Sequence, residues 1–287
     1  AVCSAALAAD VTRDSLVIAS PTEWWGLDVT QLDGTAFAQN LIGDSLVTLD
    51  KEGVMHPGIC SDVTVSEDGL TITMTFPEGS FYASGEQLEP EDVVASIARV
   101  QEVSPFASQF ATITGMEVDG RSVIFHLDHF SADLYAALSS SFLTIMDKAE
   151  LDAKSNDELL WDCHPYGQYT LKEYVQGSHI VLERNPGYVT YNPYVENKGA
   201  AYVQELTIRF MTEEFTMAQE FNAGNIQMIT NISSTGADQV TAANAVKENV
   251  VTIPSVNYLE MNLTDAVAGD LAVRQAVGLA INREELC

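Results

Sequence analysis

The segment at 206–229 constrains the fold more than any other part of the chain. An apolar run at 206–210, a helical stretch at 213–222 stopped by Gly224, and a second apolar run at 226–229 predict strand, helix and strand in immediate succession. A helix between two strands returns the chain to the end from which it started. The strands then run parallel in one sheet, with the helix packed on a sheet face. That arrangement places the chain in the mixed α/β class.

The rest of the pattern adds a β-rich stretch. Residues 16–19 are a short apolar run broken by Ser20-Pro21-Thr22, which predicts a strand followed by a loop. In 65–76, Asp68-Gly69 precedes strict alternation at Leu70, Ile72, Met74 and Phe76, the signature of a hairpin with one buried face. Residues 90–100 open on Pro90, carry acids in the first turn and place Val93, Ile97 and Val100 at helical spacing, with Leu88 set to staple onto Val93. Further strands are predicted at 123–127, 169–172 and 180–184, the last closed by the turn former Asn185-Pro186-Gly187. Near the end, Asp270 caps a predicted helix with an apolar stripe of Val273, Ala276, Val277, Ala280 and Ile281. The sequence stops at Cys287 with no helix-ending Gly or Pro, so it reads as part of a longer protein.

Composition narrows the function classes. A formal net charge of -28 repels nucleic acid and anionic membrane surfaces and leaves cationic or zwitterionic partners. Nowhere does an apolar run reach the eighteen or so residues of a membrane span. The small, apolar segment at 1–9 precedes a polar one, as the end of a secretory signal would; Ala6 and Ala8 fit a cleavage pattern, and Cys3 is the candidate for lipid attachment. Cys3, Cys60, Cys163 and Cys287 share no metal-ligand spacing, and a Cys60–Cys163 disulfide is allowed in an oxidising compartment. The five histidines His56, His126, His129, His164 and His179 are scattered, and no nucleophile elbow, HExxH or phosphate loop is present. The expectation is therefore a protein with no catalytic residues, no metal and no cofactor.

Five segments, in order, resemble the family 5 extracellular solute-binding proteins, the peptide, dipeptide and nickel binding group of ABC importers. They are the hairpin VSEDGLTITMTF at 65–76, the loop and helix PEGSFYASGEQLEPEDVVASIARV at 77–100, the YGQYTLKEYVQGSHIVLERNPGY stretch at 166–188, the strand–helix–strand unit VQELTIRFMTEEFTMAQEFNAGNIQMI at 203–229, and LAVRQAVGLAINREEL at 271–286. Val63 stands where the family usually has Trp, and Gln168 where it has a second Gly-Pro element, so local packing there departs from the pattern.

The resemblance implies a periplasmic binding protein-like type II lobe with an inserted β-rich subdomain, the second lobe being mostly absent. On that division, 1–15 is a signal or anchor remnant and linker, 16–255 is the first lobe with its insert at roughly 45–165, and 256–287 is the hinge crossing and the start of the second lobe. It further implies an extracytoplasmic protein that closes two lobes on a short peptide or other small solute and presents it to an ABC transporter permease. No nucleic acid is involved, and membrane association comes only through an N-terminal lipid anchor. Thr22, Glu23, Trp24 and Trp25 match the loop after the first strand, where peptide-binding relatives contact the ligand backbone, and Glu23 suits an amino group. His164 and Tyr166 form a second candidate loop, and Tyr258 and Asn262 lie near the expected crossing strand at 257–263. The competing readings are that Trp24, Trp25 and Tyr166 are core aromatics, Glu23 a solvated surface acid, His164 structural and Tyr258 an ordinary strand-packing residue. At the level of function they are the same fold with a nickel chelate or sugar, a secreted hydrolase, or a surface adhesion module.

Overall fold

The computed structural model describes residues 12–34, 37–247 and 258–282. Backbone contacts divide the chain into two compact units, Ala1–Ala243 and Asn244–Cys287.

The first unit holds three sheets. Strand β1 (Arg13–Ser20) is followed by β2 (Val47–Leu49) and β3 (Met55–Pro57), which pair as a two-stranded ribbon. Then come β4 (Asp62–Val65), β5 (Thr71–Thr75), the long helix α1 (Pro90–Val103), β6 (Ile113–Asp119) and β7 (Ser122–Leu127). These four strands make an antiparallel sheet in the order β4-β5-β7-β6. The predicted alternation holds: Ile72, Met74 and Phe76 are fully buried, and Gly69 at φ 73 makes the turn that only a residue without Cβ makes freely. Helix α1 lays Val93, Ile97 and Val100 on the same core, with Leu88 packed there as the staple requires. Its N-terminus is fixed by Asp92, whose Oδ2 accepts the Glu89 N–H at 2.9 Å and the Tyr82 hydroxyl at 3.1 Å. Burial raises the Asp92 carboxyl above its ordinary range.

Three short helices follow, α2 (Ala132–Leu138), α3 (Lys148–Ala153) and α4 (Asn156–Leu159), and the chain then returns to β1's sheet. Strands β8 (Tyr169–Val175) and β9 (His179–Arg184) form a hairpin, β10 (Val203–Phe210) pairs antiparallel to β9 and parallel to β1, helix α5 (Glu214–Asn222) crosses over, and β11 (Met228–Ile229) pairs parallel on the far side of β1. The five-stranded order is β11-β1-β10-β9-β8. The predicted strand–helix–strand unit is thus present, with β1 inserted between its two strands. Helix α6 (Ser234–Ala237) closes the described part of this region. A second hydrophobic cluster, with Trp24, Leu182, Leu206 and Ile208, fills one face of the sheet, and Ala19, Met217 and Ile226 pack under α5.

In the second unit, α7 (Leu271–Ala280) forms as predicted, the Asp270 carboxylate accepting the Ala272 N–H at 2.7 Å. None of its residues is buried. The predicted crossing strand does not form over described residues 258–263: Asn262 Oδ1 accepts the N–H of Thr264 at 3.0 Å and its hydroxyl at 2.8 Å, a local turn that competes with extended pairing. Asn257 and the signal or anchor region with Cys3 lie outside the described residues. Cys60 and Cys163 are free thiols buried in two different hydrophobic clusters, which corrects the disulfide that the sequence allows.

Candidate functional site at the sheet rim

In an open parallel sheet, the crevice for a ligand forms at the C-terminal ends of the strands, where the chain leaves one strand in one direction and its neighbour in the other. Strand β1 occupies that position, with β10 on one side and β11 on the other. Its exit is tied to both neighbours: the Met211 N–H donates to Ser20 O at 2.9 Å, and the Thr230 N–H donates to Ala19 O at 3.0 Å. Asn231, just past β11, adopts φ 54, the left-handed region that Asn tolerates better than most residues with a side chain. The tip of the β8–β9 hairpin joins the same rim, since the Phe210 N–H donates to Ser178 O at 2.8 Å.

The loop leaving β1 carries four of the predicted residues, Thr22, Glu23, Trp24 and Trp25. The Thr22 N–H donates to Ser20 Oγ at 3.3 Å, turning the chain out of the strand. Glu23 reaches across to the hairpin tip, where its Oε1 accepts the Gly177 N–H at 2.7 Å and the Tyr174 hydroxyl at 2.7 Å. The Gly177 bond first, and the Tyr174 bond second, hold the carboxyl below its ordinary range, so Glu23 is ionised at neutral pH. Burial together with that carboxylate pushes the Tyr174 phenol up to about 12. Trp25 lies over Gly34 and is 42% exposed.

The remaining predicted residues do not present their side chains at the rim. Trp24 is 1% exposed and donates its Nε1–H to Phe37 O at 2.9 Å; it seals the core beneath the loop. A core role fits because burying an indole removes a large apolar area from water while its one donor stays satisfied. Tyr166 is fully buried, with its hydroxyl donating to Val189 O at 2.7 Å and its ring packed against Tyr82 and Tyr188. His164 is held by Glu150, Nδ1 to Oε1 at 2.8 Å, in a cluster that includes Lys154 and Asp162. Its pKa is raised, chiefly by that bond. Tyr258 is 78% exposed in the second unit, and Asn262 is engaged in its own turn.

The residue that sequence reasoning missed is Trp161. Its ring stacks on Tyr174 with centroids 4.9 Å apart and planes at 18°, and Tyr174 in turn meets Phe210 edge-on at 6.4 Å. Helix α4 delivers it there, because the Leu27 N–H donates to Leu160 O at 2.7 Å and a Cβ at Gly26 would lie 2.7 Å from Leu160 Cδ1. This close packing of the Leu160 segment on the exit loop places the neighbouring third tryptophan at the rim. Among the described residues no cluster of three or more His, Cys, Asp or Glu is arranged to hold a metal, and no helix is long and apolar enough to cross a membrane.

The profile of the bacterial extracellular solute-binding proteins, family 5 Middle, matches residues 54–287. The dipeptide-binding protein of Escherichia coli K12 is 24% identical over 257 residues, covering 80% of this chain and 46% of its own length. The glutathione-binding protein GsiB of Salmonella typhimurium LT2 is 25% identical over 266 residues, covering 90% and 49%. Among solved structures, NikZ from Campylobacter jejuni in complex with Ni(L-His) superposes with a TM-score of 0.75 at 19% identity, over 96% of this chain and 54% of its own. The oligopeptide-binding protein AppA from Bacillus subtilis, in complex with a nonapeptide, superposes at 0.66 and 19% identity, over 80% and 46%. The fold is therefore shared with these proteins, and the chain spans about half the length of the curated relatives it matches.

Proposed function

Because the chain belongs to the family 5 bacterial extracellular solute-binding proteins, we propose that its sheet rim is one wall of a cleft that captures a short peptide outside the cytoplasm for an ABC transporter permease. The observation that carries this reading is the β1 exit loop, which presents Thr22, the ionised Glu23 and the exposed ring of Trp25 at the C-terminal ends of the parallel strands β1, β10 and β11. Trp24 supports it from beneath, and Tyr166 and His164 brace neighbouring segments rather than touching solute. Residues 16–255 form the first lobe, with a β-rich insert built on the β2–β3 and β4-β5-β7-β6 sheets. Residues 256–287, with Tyr258 and Asn262, carry the hinge connection and the start of the second lobe. Cys3 is the proposed anchor point. A solute contacting both lobes shifts the population toward the closed form by its differential affinity for it, and a step of that kind needs no catalytic residue.

Support for a peptide comes from the dipeptide- and glutathione-binding relatives and from the aromatic rim, since extended peptides need backbone partners flanked by apolar walls. The superposition on NikZ favours a second reading, a metal chelate in the same cleft. Mass spectrometry of solute released from the natural full-length protein separates them. Peptides are expected, whereas recovery of a chelate or glycan without peptides overturns the peptide reading. Turnover of a bound peptide that is lost on a single substitution would overturn the transport reading in favour of a hydrolase.

A further inference from the structure

We infer that a cavity at the other end of the five-stranded sheet from the rim binds a calcium ion, with Asp44 as its charged ligand among amide and hydroxyl oxygens. This does not rest on the reading of the rim. The two places lie at opposite ends of the β8–β9 hairpin. Its tip at Ser178 joins the rim, whereas Tyr169 pairs with Arg184 at its base, and Gln168 before that pair and Tyr188 after it line the cavity. The cavity measures about 320 Å³, enough for an ion that keeps several of its waters.

Asp44 is the one charged residue in the lining. Its Oδ1 accepts the Ser45 N–H at 2.7 Å and its Oδ2 accepts the Tyr188 hydroxyl, which leaves a lone pair on each oxygen. Burial pushes the carboxyl above its ordinary range in spite of both bonds. A carboxylate withdrawn from water needs a counter-charge, and no Lys, Arg or His lines this cavity to supply one. The side chains of Asn40, Ser45, Ser141 and Gln168 line it too, and among the described residues none of the four hydrogen-bonds to the protein. The donor set is thus one carboxylate and several neutral oxygens, with no His or Cys for a soft metal. Magnesium demands near-ideal octahedral geometry and sheds water reluctantly, whereas calcium accepts about six to eight oxygens in loose geometry. The overall charge of -28 raises the local concentration of cations.

The test uses the natural full-length protein, stripped with a chelator and held at about pH 8, where a carboxylate is ionised. Terbium(III) serves as a luminescent stand-in for calcium, because a tyrosine ring sensitises it only at short range and Tyr188 is bonded to Asp44. Tyrosine-excited terbium emission is expected, displaced by calcium with an apparent Kd of about 10⁻⁴–10⁻³ M, the range of weak extracellular calcium sites. D44N should weaken calcium binding at least about tenfold, and Q168E, which adds a second carboxylate to the wall, should tighten it by about as much. A cooperative thermal transition shows that each variant has kept its fold. Calcium affinity unchanged in D44N, or displacement by magnesium as strong as by calcium, overturns the site and assigns the ion to the atmosphere around an acidic surface. Should D44N fail to fold, Q168E decides the matter, and a calcium affinity equal to wild type overturns the proposal.

Discussion

Arg99 on α1 reaches Asp28 behind the exit loop, Nη2 to Oδ2 at 2.5 Å, with side-chain exposures of 11% and 0%. Asp28 also accepts the Thr30 N–H at 3.1 Å and Gln31 Nε2 at 2.8 Å. At an effective dielectric near 20, opposite charges this close attract by about 7 kcal/mol, but desolvation removes several kcal/mol for each ion. The pair is thus close to neutral as a net stabiliser, and the cost appears when one partner is removed. R99M leaves a buried carboxylate facing a methyl group, and a loss of about 3–5 kcal/mol is expected. In a unit of this size each kcal/mol lowers the unfolding midpoint by about 2–4 °C. R99M should therefore melt roughly 6–20 °C below wild type in a calorimetric or circular dichroism scan. D28N/R99M removes the stranded charge and keeps an acceptor for Thr30, so it should recover most of the loss. A drop of less than about 1 kcal/mol in R99M, or a double variant worse than the sum of the singles, refutes the reasoning.

The His164–Glu150 bond links stability to pH. Burial alone would raise Glu150, but its bonds to His164 and Lys154 bring its pKa below the ordinary 4.5, while His164 is raised above 6.5. The carboxylate's contribution fades as pH falls through its lowered pKa, and that of the imidazolium fades as pH rises through its raised one. The bond should therefore count most between about pH 4.5 and 6.5, and H164Q should lower the urea midpoint at pH 5.5 with little effect at pH 8.5; equal losses at both would contradict this. For the cysteines, burial pushes the Cys60 thiol up to about 11 and raises Cys163 well above its ordinary value. Peptide mapping after iodoacetamide treatment at pH 8 should find both nearly unmodified in the folded protein and both alkylated in denaturant; rapid native alkylation at Cys60 or Cys163 would show that its burial is wrong.

Elements held by local periodicity were legible from the sequence, and those held by long-range contacts were not. The buried face of β5 and the stripe of α1 follow from period-2 and period-3.6 spacing within the segment itself. Strand β6 was missed because its register against β7 shifts between Ile113 and Gly115, which moves later residues to the opposite face and erases the alternation. The two adjacent tryptophans sit on a loop, where no period says which ring turns inward. The choice is made by the hydrogen bond that Trp24 finds at Phe37. Glu23 was identified on its own, yet its partner Tyr174 lies 151 residues away, and nothing in either local sequence announces the pairing. The stripe of α7 was legible too, but a stripe specifies only the need for a covering surface, not its identity.

The same distant contacts explain why the exit loop suits a binding role. Three attachments from separate parts of the chain hold it: the hairpin tip on Glu23, the backbone bond from Leu27 to Leu160, and Arg99 on Asp28. A loop of this length left free would lose about 1–2 kcal/mol of backbone entropy per residue on being ordered by a solute. Here that cost is met in folding, before any solute arrives, so more of the contact energy remains for affinity. Asn231 is held at φ 54 on the same rim by β11, whose pairing with β1 also positions the loop. Loosening any one attachment should therefore reach the others, because all of them act on the few residues between Ser20 and Asp28.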